Sequence, residues 1–290
     1  MAENIDYMDQ SFRGPALTVC AWTPVYTPSG CETAIDAGWH TGKELPGSAG
    51  LGHVGAMKLI SDGSLNTRSA YCSTPYSGIE PLTYGTLSYT PQQIEDYMRL
   101  ATEHGFDIAC HAIGDEANTI ALNAVAATHA HGSIEHAQML KPVDIPRFAE
   151  LGLTASIQPQ HAMDDRDVIT RFWANPAGIP YPFRALHDAG TTLRMGSDAP
   201  VAPLDPWLAI SAAVLGTESS DREPFQPEQC LDVHTSLAAS TATGRDRLAS
   251  GDPADVVLLD ADPYAADTPE AMRAMPQHVV MTLLCGERTY

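Results

Sequence analysis

Short apolar runs recur along the chain, and turn residues bound each of them. They are LTVCAW (17–22), GAMKLIS (55–61), FDIAC (106–110), GSIE (132–135), LTASIQ (153–158) and TLRMGS (192–197). Their apolar positions are consecutive rather than alternating, which is typical of strands that are buried on both faces. The pattern therefore predicts six strands of a parallel sheet.

Segments with helical spacing separate these strands. The clearest is TPQQIEDYMRLATEHG, where Thr90 can cap the helix, Pro91 suits its first position and Gly105 can end it. Further helices are predicted in GDEANTIALNAVAATHA, KPVDIPRFAELG and YPFRALHDAG. Alternation of strand and helix predicts a parallel α/β architecture.

The C-terminal part of the chain has a different character. DPADVVLLDADP (252–263) and HVVMTLLCGERTY (278–290) read as strands around turns, the second as a hairpin turning near Gly286 and Glu287. We therefore predict an α/β domain over residues 1–250 and strands of a small β-sandwich over residues 251–290.

Composition narrows the class of protein. Hydrophobic residues make up 44% of the 290 positions and charged residues 18%, as in a globular chain. A net charge of −20 argues against nucleic acids and anionic membranes as partners. The six cysteines form no C-x-x-C pair, and neither a signal peptide nor an apolar run of membrane-spanning length is visible. We expect a cytoplasmic protein with reduced thiols.

Candidate chemistry collects where the predicted strands end. His111 and His136 follow two consecutive strands, Asp198 follows the last one, and Lys58 lies within an earlier strand. In a parallel β/α barrel the carboxyl ends of the strands form the active site. Two imidazoles with oxygen ligands suit a metal site. A single strand-end histidine is more often a hydrogen-bonded structural residue than a ligand, but two on consecutive strands with an aspartate at the last one favour a metal. A buried lysine can instead form a Schiff base.

Other polar residues leave two interpretations open. His161, in QPQHAM, either contacts substrate or is a loop histidine. Asp62 and Arg68, in SDGSLNTR, either order the loop after Lys58 or form a surface pair. Asp115 is expected to cap the helix that follows it.

Five sequence blocks resemble the amidohydrolase superfamily. They are GAMKLISDGSLNTRSAY, CHAIGDEAN, SIEHAQML, DIPRFAELGLTASIQPQHA and MGSDAPVAPLDPWLAI, and SGDPADVVLLDADP is similar to the family's return to a small β-sandwich. Within the superfamily the blocks look like the amidohydrolase-3 branch, which includes N-substituted formamide deformylase-like enzymes. The resemblance implies a (β/α)8-type TIM barrel of the metal-dependent hydrolase kind.

The resemblance also implies roles for individual residues. Lys58 matches a lysine that is carboxylated in many members and bridges two metal ions, while His111 and His136 match histidine ligands. Asp198 matches a metal ligand that also carries protons. The implied cofactor is one or two divalent ions, usually zinc, and the implied reaction is hydrolysis of the C–N bond of a small-molecule amide or N-formyl compound.

The chain departs from this pattern at its start. The family's first barrel strand ends in an H-x-H motif, which this chain lacks in a suitable place: His40 and His53 stand singly, and His129 and His131 precede a strand rather than follow one. Six barrel strands are predicted where closure needs eight, so the barrel is expected to lack its first two strands. The chain thus looks like the C-terminal portion of a longer enzyme.

Two alternatives follow from this departure and from Lys58. The first alternative is a catalytically impaired fragment or a subunit that needs an N-terminal partner polypeptide; a homo-oligomer is a further option. A Schiff-base lyase that uses Lys58 ranks last, because it leaves the two histidines and Asp198 without a joint role.

Overall fold

The computed structural model describes residues 21–26 and 28–290. Their main feature is a six-stranded sheet in which every strand runs parallel to its neighbours. In sheet order, the strands are β1 (Ala21–Tyr26), β2 (Gly52–Ile60), β3 (Ile108–Ala112), β4 (Gly132–His136), β6 (Thr154–Ile157) and β8 (Thr192–Met195). Two shorter strands, β5 (Met139–Leu140) and β7 (Ile179–Pro180), form a separate antiparallel pair. The predicted parallel α/β architecture is confirmed.

The first predicted strand is placed differently. Residues 17–20 of LTVCAW lie outside the described residues, while the strand itself begins at Ala21 and continues to Tyr26. It pairs with β2 from Ala21 opposite Gly52 to Tyr26 opposite Lys58, with a register irregularity between Thr23 and Val25. Pro24 sits at that irregularity because it has no N–H to give to the ladder.

Helices follow most strands and cover the sheet. They are α1 (Pro28–Asp36), α2 (Pro91–Glu103), α3 (Asp115–Thr128), α4 (Ile145–Glu150), α5 (Pro159–Phe172), α6 (Phe183–Asp188), α7 (Pro206–Leu215), α8 (Val233–Ala239) and α9 (Pro269–Ala274). Short 3₁₀ turns lie at Pro227–Gln229, Pro263–Ala265 and Met275–His278. The four helices predicted from the sequence are all present.

Helix α2 begins as predicted. The Thr90 side chain accepts a hydrogen bond from the backbone N–H of Gln93, and the Gln93 side chain accepts one from the backbone N–H of Thr90. This is a capping box, and Pro91 fills the first helical position. Ile94, Met98 and Ala101 face the core at helical spacing and are fully buried.

A three-stranded antiparallel sheet lies at the C-terminus. Strand β10 (Val279–Leu284) is its centre, with β9 (Val256–Leu259) on one side and β11 (Glu287–Arg288) on the other. Cys285 and Gly286 form the predicted hairpin turn with φ of 51° and 82°, the positive pair that a two-residue hairpin loop needs. The division into domains at residue 250 stays a prediction.

The large sheet is open. Strands β1 and β8 are its two edges, and they pair with no further strand among the residues that the structure describes. The barrel is therefore not closed by the described part of the chain. All strand-to-helix connections nevertheless leave from the same edge of the sheet, because parallel strands place their carboxyl ends together.

Residues 61–90 connect β2 to α2 and lie over this edge. The segment contains turns and an isolated bridge between Asp62 and Leu87, but neither a helix nor a strand. Backbone hydrogen bonds fold it on itself, among them Cys72 N–H to the Tyr84 carbonyl at 2.8 Å and Ser88 N–H to the Ser61 carbonyl at 2.8 Å. The segment is thus an ordered loop beside the strand ends.

Candidate metal centre

The strand-end residues predicted from the sequence meet at the carboxyl edge of the sheet. His111 lies in β3 opposite Ile60 of β2, and His136 ends β4 opposite Ala112. Asp198 follows β8 by three residues, and His161 lies in the first turn of α5, directly after β6. Parallel register brings these positions to one rim.

Three of these side chains lie close enough to share one metal ion. Ligand atoms of His136, His161 and Asp198 all lie within 4.8 Å of one another. The ring of His136 is 5.8 Å from that of His161, to which it is nearly parallel, and 4.5 Å from that of His111. The ring of His111 therefore borders the cluster, while His161 belongs to it.

Two ring nitrogens in this cluster have unused hydrogen-bonding capacity. His136 Nδ1 and His161 Nε2 are shielded from solvent and have no hydrogen-bond partner within the described part of the chain. A buried polar atom without a partner costs about 1–3 kcal/mol. Imidazole nitrogens beside a carboxylate are ligands that zinc and similar divalent ions prefer. The residues present thus fit such an ion.

His136 is held in its neutral form. Burial lowers its pKa well below the ordinary histidine value, and the nearby His111, His161 and Lys58 lower it further. At neutral pH the ring therefore carries a lone pair that could bind a metal.

Backbone strain is concentrated in the same region. His136, Ala137 and Asp198 have φ of 73°, 44° and 53°, in the left-handed region that residues other than glycine rarely adopt. Such conformations cost of order 1–3 kcal/mol each and cluster at functional sites. Here they turn the chain sharply at the ends of β4 and β8, where two of the cluster residues lie.

The environment of Asp62 decides between its two sequence interpretations. It does not pair with Arg68, whose guanidinium donates to the Asn66 carbonyl and lies 5.5 Å from the Phe172 ring centroid. The Asp62 carboxylate is instead buried, with 1% of the residue exposed, and it accepts three backbone hydrogen bonds described below. It orders the loop after Lys58, which was one of the two options.

The capping role expected for Asp115 is wrong. The residue that caps α3 is Gly114, and its backbone is pressed so closely against Tyr71 that an added Cβ would lie 2.0 Å from the Tyr71 carbonyl oxygen. Asp115 stands one position further on, fully buried, and accepts hydrogen bonds from the backbone N–H and hydroxyl of Ser73. It anchors the loop of residues 61–90.

Sequence reasoning also missed Asp165. This buried carboxylate lies one helical turn after His161 on α5 and joins the loop of residues 61–90 to the sheet edge through Asn66 and Gln138. The only sequence signal was the spacing of four residues from His161, which places both on one face of a helix.

A cavity in the described part of the chain lies away from this cluster. It has a volume of about 790 Å³ and lies between β8 and α8, lined among others by Leu193, Arg194, His234 and Asp246. None of the histidines at the strand ends lines it.

A parallel α/β sheet with two histidines and an aspartate clustered at its carboxyl edge fits the TIM-barrel class of metal-dependent hydrolase folds. The chain belongs to the amidohydrolase family, whose model, Amidohydro_3, matches residues 24–290. Among the described helices, none is long and apolar enough to cross a membrane.

Individual relatives agree with this family. The chain is 31% identical over 229 residues to YtcJ of Bacillus subtilis (strain 168), which is named as an amidohydrolase, and the match covers 73% of this chain and 43% of that protein. It is 25% identical over 240 residues to the N-substituted formamide deformylase of Arthrobacter pascens, with 74% and 42% covered.

A solved structure gives the same result. The crystal structure of an uncharacterised metal-dependent hydrolase from Pyrococcus horikoshii matches with a TM-score of 0.69 and 26% identity, over 83% of this chain and 48% of that one. The chain therefore spans less than half of the length of these relatives.

Proposed function

We propose that the chain carries the metal site of an amidohydrolase that hydrolyses a C–N bond, other than a peptide bond, in a small-molecule amide or N-formyl compound. The observation that carries the proposal is the convergence of His136, His161 and Asp198 within 4.8 Å, with two buried ring nitrogens that lack partners. The A. pascens relative, named as a deformylase of N-substituted formamides, supports the type of bond.

The proposed ligands for a divalent ion, zinc in the first instance, are His136, Asp198, His111 and Lys58. Lys58 would bind only after carboxylation, since a protonated amine has no lone pair to offer. The substrate contact assigned to His161 from the sequence stays a prediction. Its distance to His136 and Asp198 supports a ligand role equally well.

When bound, the ion would lower the pKa of a water molecule and polarise a carbonyl. Asp198 is exposed at the rim, where its carboxylate can accept the proton of the attacking water and return it to the leaving amine nitrogen. His136 stays neutral because of burial and contributes a lone pair rather than a charge.

Zinc titration of the whole chain tests this site. We expect tight binding of at least one ion. Loss of a residue that only hydrogen-bonds to a metal ligand weakens metal binding by roughly 10–100-fold. The substitution His136→Ala should weaken zinc binding by more than this. His129→Ala is the matched control, because His129 is exposed at the end of α3. Equal zinc affinity in both variants, or no binding by the unaltered chain, would refute the proposal.

Hydrolysis is measured in the same preparation. N-substituted formamides should release formate only when zinc is present, and a chelator should stop the release reversibly. Formate release that persists in the chelator would contradict a metal-dependent reaction.

The open sheet favours a second candidate, a subunit that becomes active with an N-terminal partner polypeptide. Edges β1 and β8 lack partners among the described residues, and the relatives are more than twice as long as their matched parts. Co-expression with the N-terminal half of the B. subtilis relative should then raise formamide hydrolysis and form a complex. Full activity of the chain alone, unchanged by that partner, would exclude this candidate.

A further inference from the structure

The buried carboxylate of Asp62 lies at the junction of the loop and two strands. Its Oδ2 accepts hydrogen bonds from the backbone N–H groups of Tyr71 and Gly114, each at 2.9 Å, and its Oδ1 accepts one from Ile113 N–H at 3.1 Å. The same Oδ1 lies 3.3 Å from His111 Nε2. Three fixed donors therefore hold a negative charge beside one particular nitrogen of His111.

A second group identifies the hydrogen on that nitrogen. The backbone carbonyl oxygen of Gly63 lies 3.4 Å from His111 Nε2. A carbonyl oxygen can only accept, so the contact requires Nε2 to be the donor. Both neighbours of Nε2 thus favour the Nε2–H tautomer, which leaves the ring's lone pair on Nδ1.

We propose that Asp62 is a positioning residue that holds His111 in the Nε2–H tautomer, so that Nδ1 is the atom offered to the metal. The consequence for metal binding rests on the proposed function, whereas the tautomer of His111 does not depend on it. Metal-bound histidines commonly donate their other ring N–H to a carboxylate or carbonyl, which fixes ring orientation and raises ligand basicity.

The competing explanation is that Asp62 only anchors the loop. Asp115 provides the comparison, because its buried carboxylate holds the backbone N–H of Ser73 in the same loop. Lys141 Nζ lies 4.0 Å from Asp115 Oδ2, and no contact joins Asp115 to a histidine among the interactions of the described residues. The variant Asp115→Asn therefore weakens the anchoring of the loop of residues 61–90 but does not affect His111.

Asp62→Asn changes the charge and the donor pattern with little change in size. The amide oxygen of the variant is expected to take the position of Oδ2 and accept from the Tyr71 and Gly114 N–H groups, because this orientation satisfies both donors. The amide NH₂ then takes the place of Oδ1, where it donates to His111 Nε2 and leaves the Ile113 N–H without its acceptor. This favours the Nδ1–H tautomer, which removes the lone pair from the atom that would bind the metal.

The experiment uses the metal-free whole chain labelled with ¹⁵N-histidine at about pH 8, above the ordinary histidine pKa of about 6.5. Long-range ¹H–¹⁵N spectra report the tautomer of each ring, and the spectrum of His111→Gln assigns the resonance. We expect Nε2–H for His111 in the unaltered chain and in Asp115→Asn, and Nδ1–H in Asp62→Asn. Zinc affinity, measured by chelator competition, should fall about 10–100-fold in Asp62→Asn alone.

The outcomes separate this inference from the proposed function. If the unaltered chain shows Nδ1–H, or if Asp62→Asn folds and keeps Nε2–H, Asp62 does not set the tautomer. A zinc affinity that falls equally in Asp62→Asn and Asp115→Asn would reduce Asp62 to a loop anchor. If no variant binds zinc while the tautomer shifts as expected, the metal proposal fails and the positioning of His111 stands.

Discussion

At the scale of single residues, the carboxylate of Asp165 joins several elements. It accepts hydrogen bonds from Asn66 Nδ2 at 2.7 Å, Gln138 Nε2 at 3.0 Å and the Tyr181 hydroxyl at 2.6 Å. Burial raises the pKa of Tyr181 well above its ordinary value, and the charge of Asp165 raises it further. The Tyr181 hydroxyl therefore keeps its proton and donates it to the Asp165 carboxylate. Through Asp165, the face of α5 that carries His161 is fixed to the loop of residues 61–90.

Removal of this carboxylate should be costly. Asp165→Ala leaves buried donors unsatisfied, and we expect the free energy of unfolding to fall by roughly 3 kcal/mol. The neighbouring Asp164→Ala is the control, since Asp164 is exposed and should change stability by less than about 1 kcal/mol. Urea unfolding of both variants measures the difference, and equal losses would contradict this role for Asp165.

Buried thiols should make the protein sensitive to alkali. Burial raises the pKa of Cys110 from 9.0 to about 12, with the charge of Asp62 adding to the effect, and that of Cys72 to about 12, with the charge of Asp115 adding. Above about pH 9 the unfolded chain loses these protons while the folded chain keeps them. Stability is therefore fully present below the unfolded-state pKa and decreases as pH rises above it.

Each such thiol can contribute a slope of up to about 1.4 kcal/mol per pH unit. Urea unfolding between about pH 8 and pH 10 measures this slope, which should become shallower in Cys110→Ala whatever the absolute stability of that variant. A slope unchanged by the substitution would show that Cys110 ionises equally in both states.

The rule that polar residues after buried strands lie at the carboxyl edge of the sheet predicted His111, His136 and Asp198 as site residues, and the structure places them at that edge. Their role in a site stays a prediction, as does that of Lys58, which lies within β2. The rule could not decide the position of His161, because it gives no distances between side chains on different strands. The roles of the buried carboxylates were also beyond the sequence, since Asp62 gains its partners from backbone groups up to 52 residues away. Local pattern predicts where a residue lies along its strand, and tertiary contacts decide what it touches.

At the scale of elements, the capping box of α2 offers a direct test. Thr90→Ala removes the acceptor for the Gln93 N–H and should cost about 1 kcal/mol of stability. Thr90→Ser keeps a hydroxyl at the same position and should retain most of it. Thermal or urea unfolding distinguishes these variants, and identical stabilities would mean that solvent replaces the cap.

Elements with strong local signals were predicted well. The last five of the six predicted strands and the capped helix α2 were predicted correctly, because continuous apolar runs and capping residues act over short distances. Errors arose where a distant contact decides the structure. Gly114 rather than Asp115 caps α3 because the backbone at Tyr71 packs against it, and β1 continues through Pro24 because β2 pairs with it.

At the scale of the whole molecule, the open sheet has unequal strands. β4 is hydrogen-bonded on both sides, whereas β8 is bonded only to β6 among the described residues. We expect amides of Thr192–Met195 to exchange with solvent deuterium faster than those of Gly132–His136. Exchange monitored by mass spectrometry tests this, and a partner that pairs with β8 should slow the exchange there specifically. Equal protection of both strands in the chain alone would show that the edge is already covered.

Two of the buried carboxylates that hold the loop of residues 61–90 have a consequence for how the family can diversify. Asp62 and Asp115 bind the loop through the main-chain N–H groups of Tyr71 and Ser73, and every residue except proline has such a group. Mutations that alter the side chains at these two positions therefore leave those anchors intact. Related proteins can therefore vary the side chains that the loop presents to a substrate and keep the same backbone conformation of the loop.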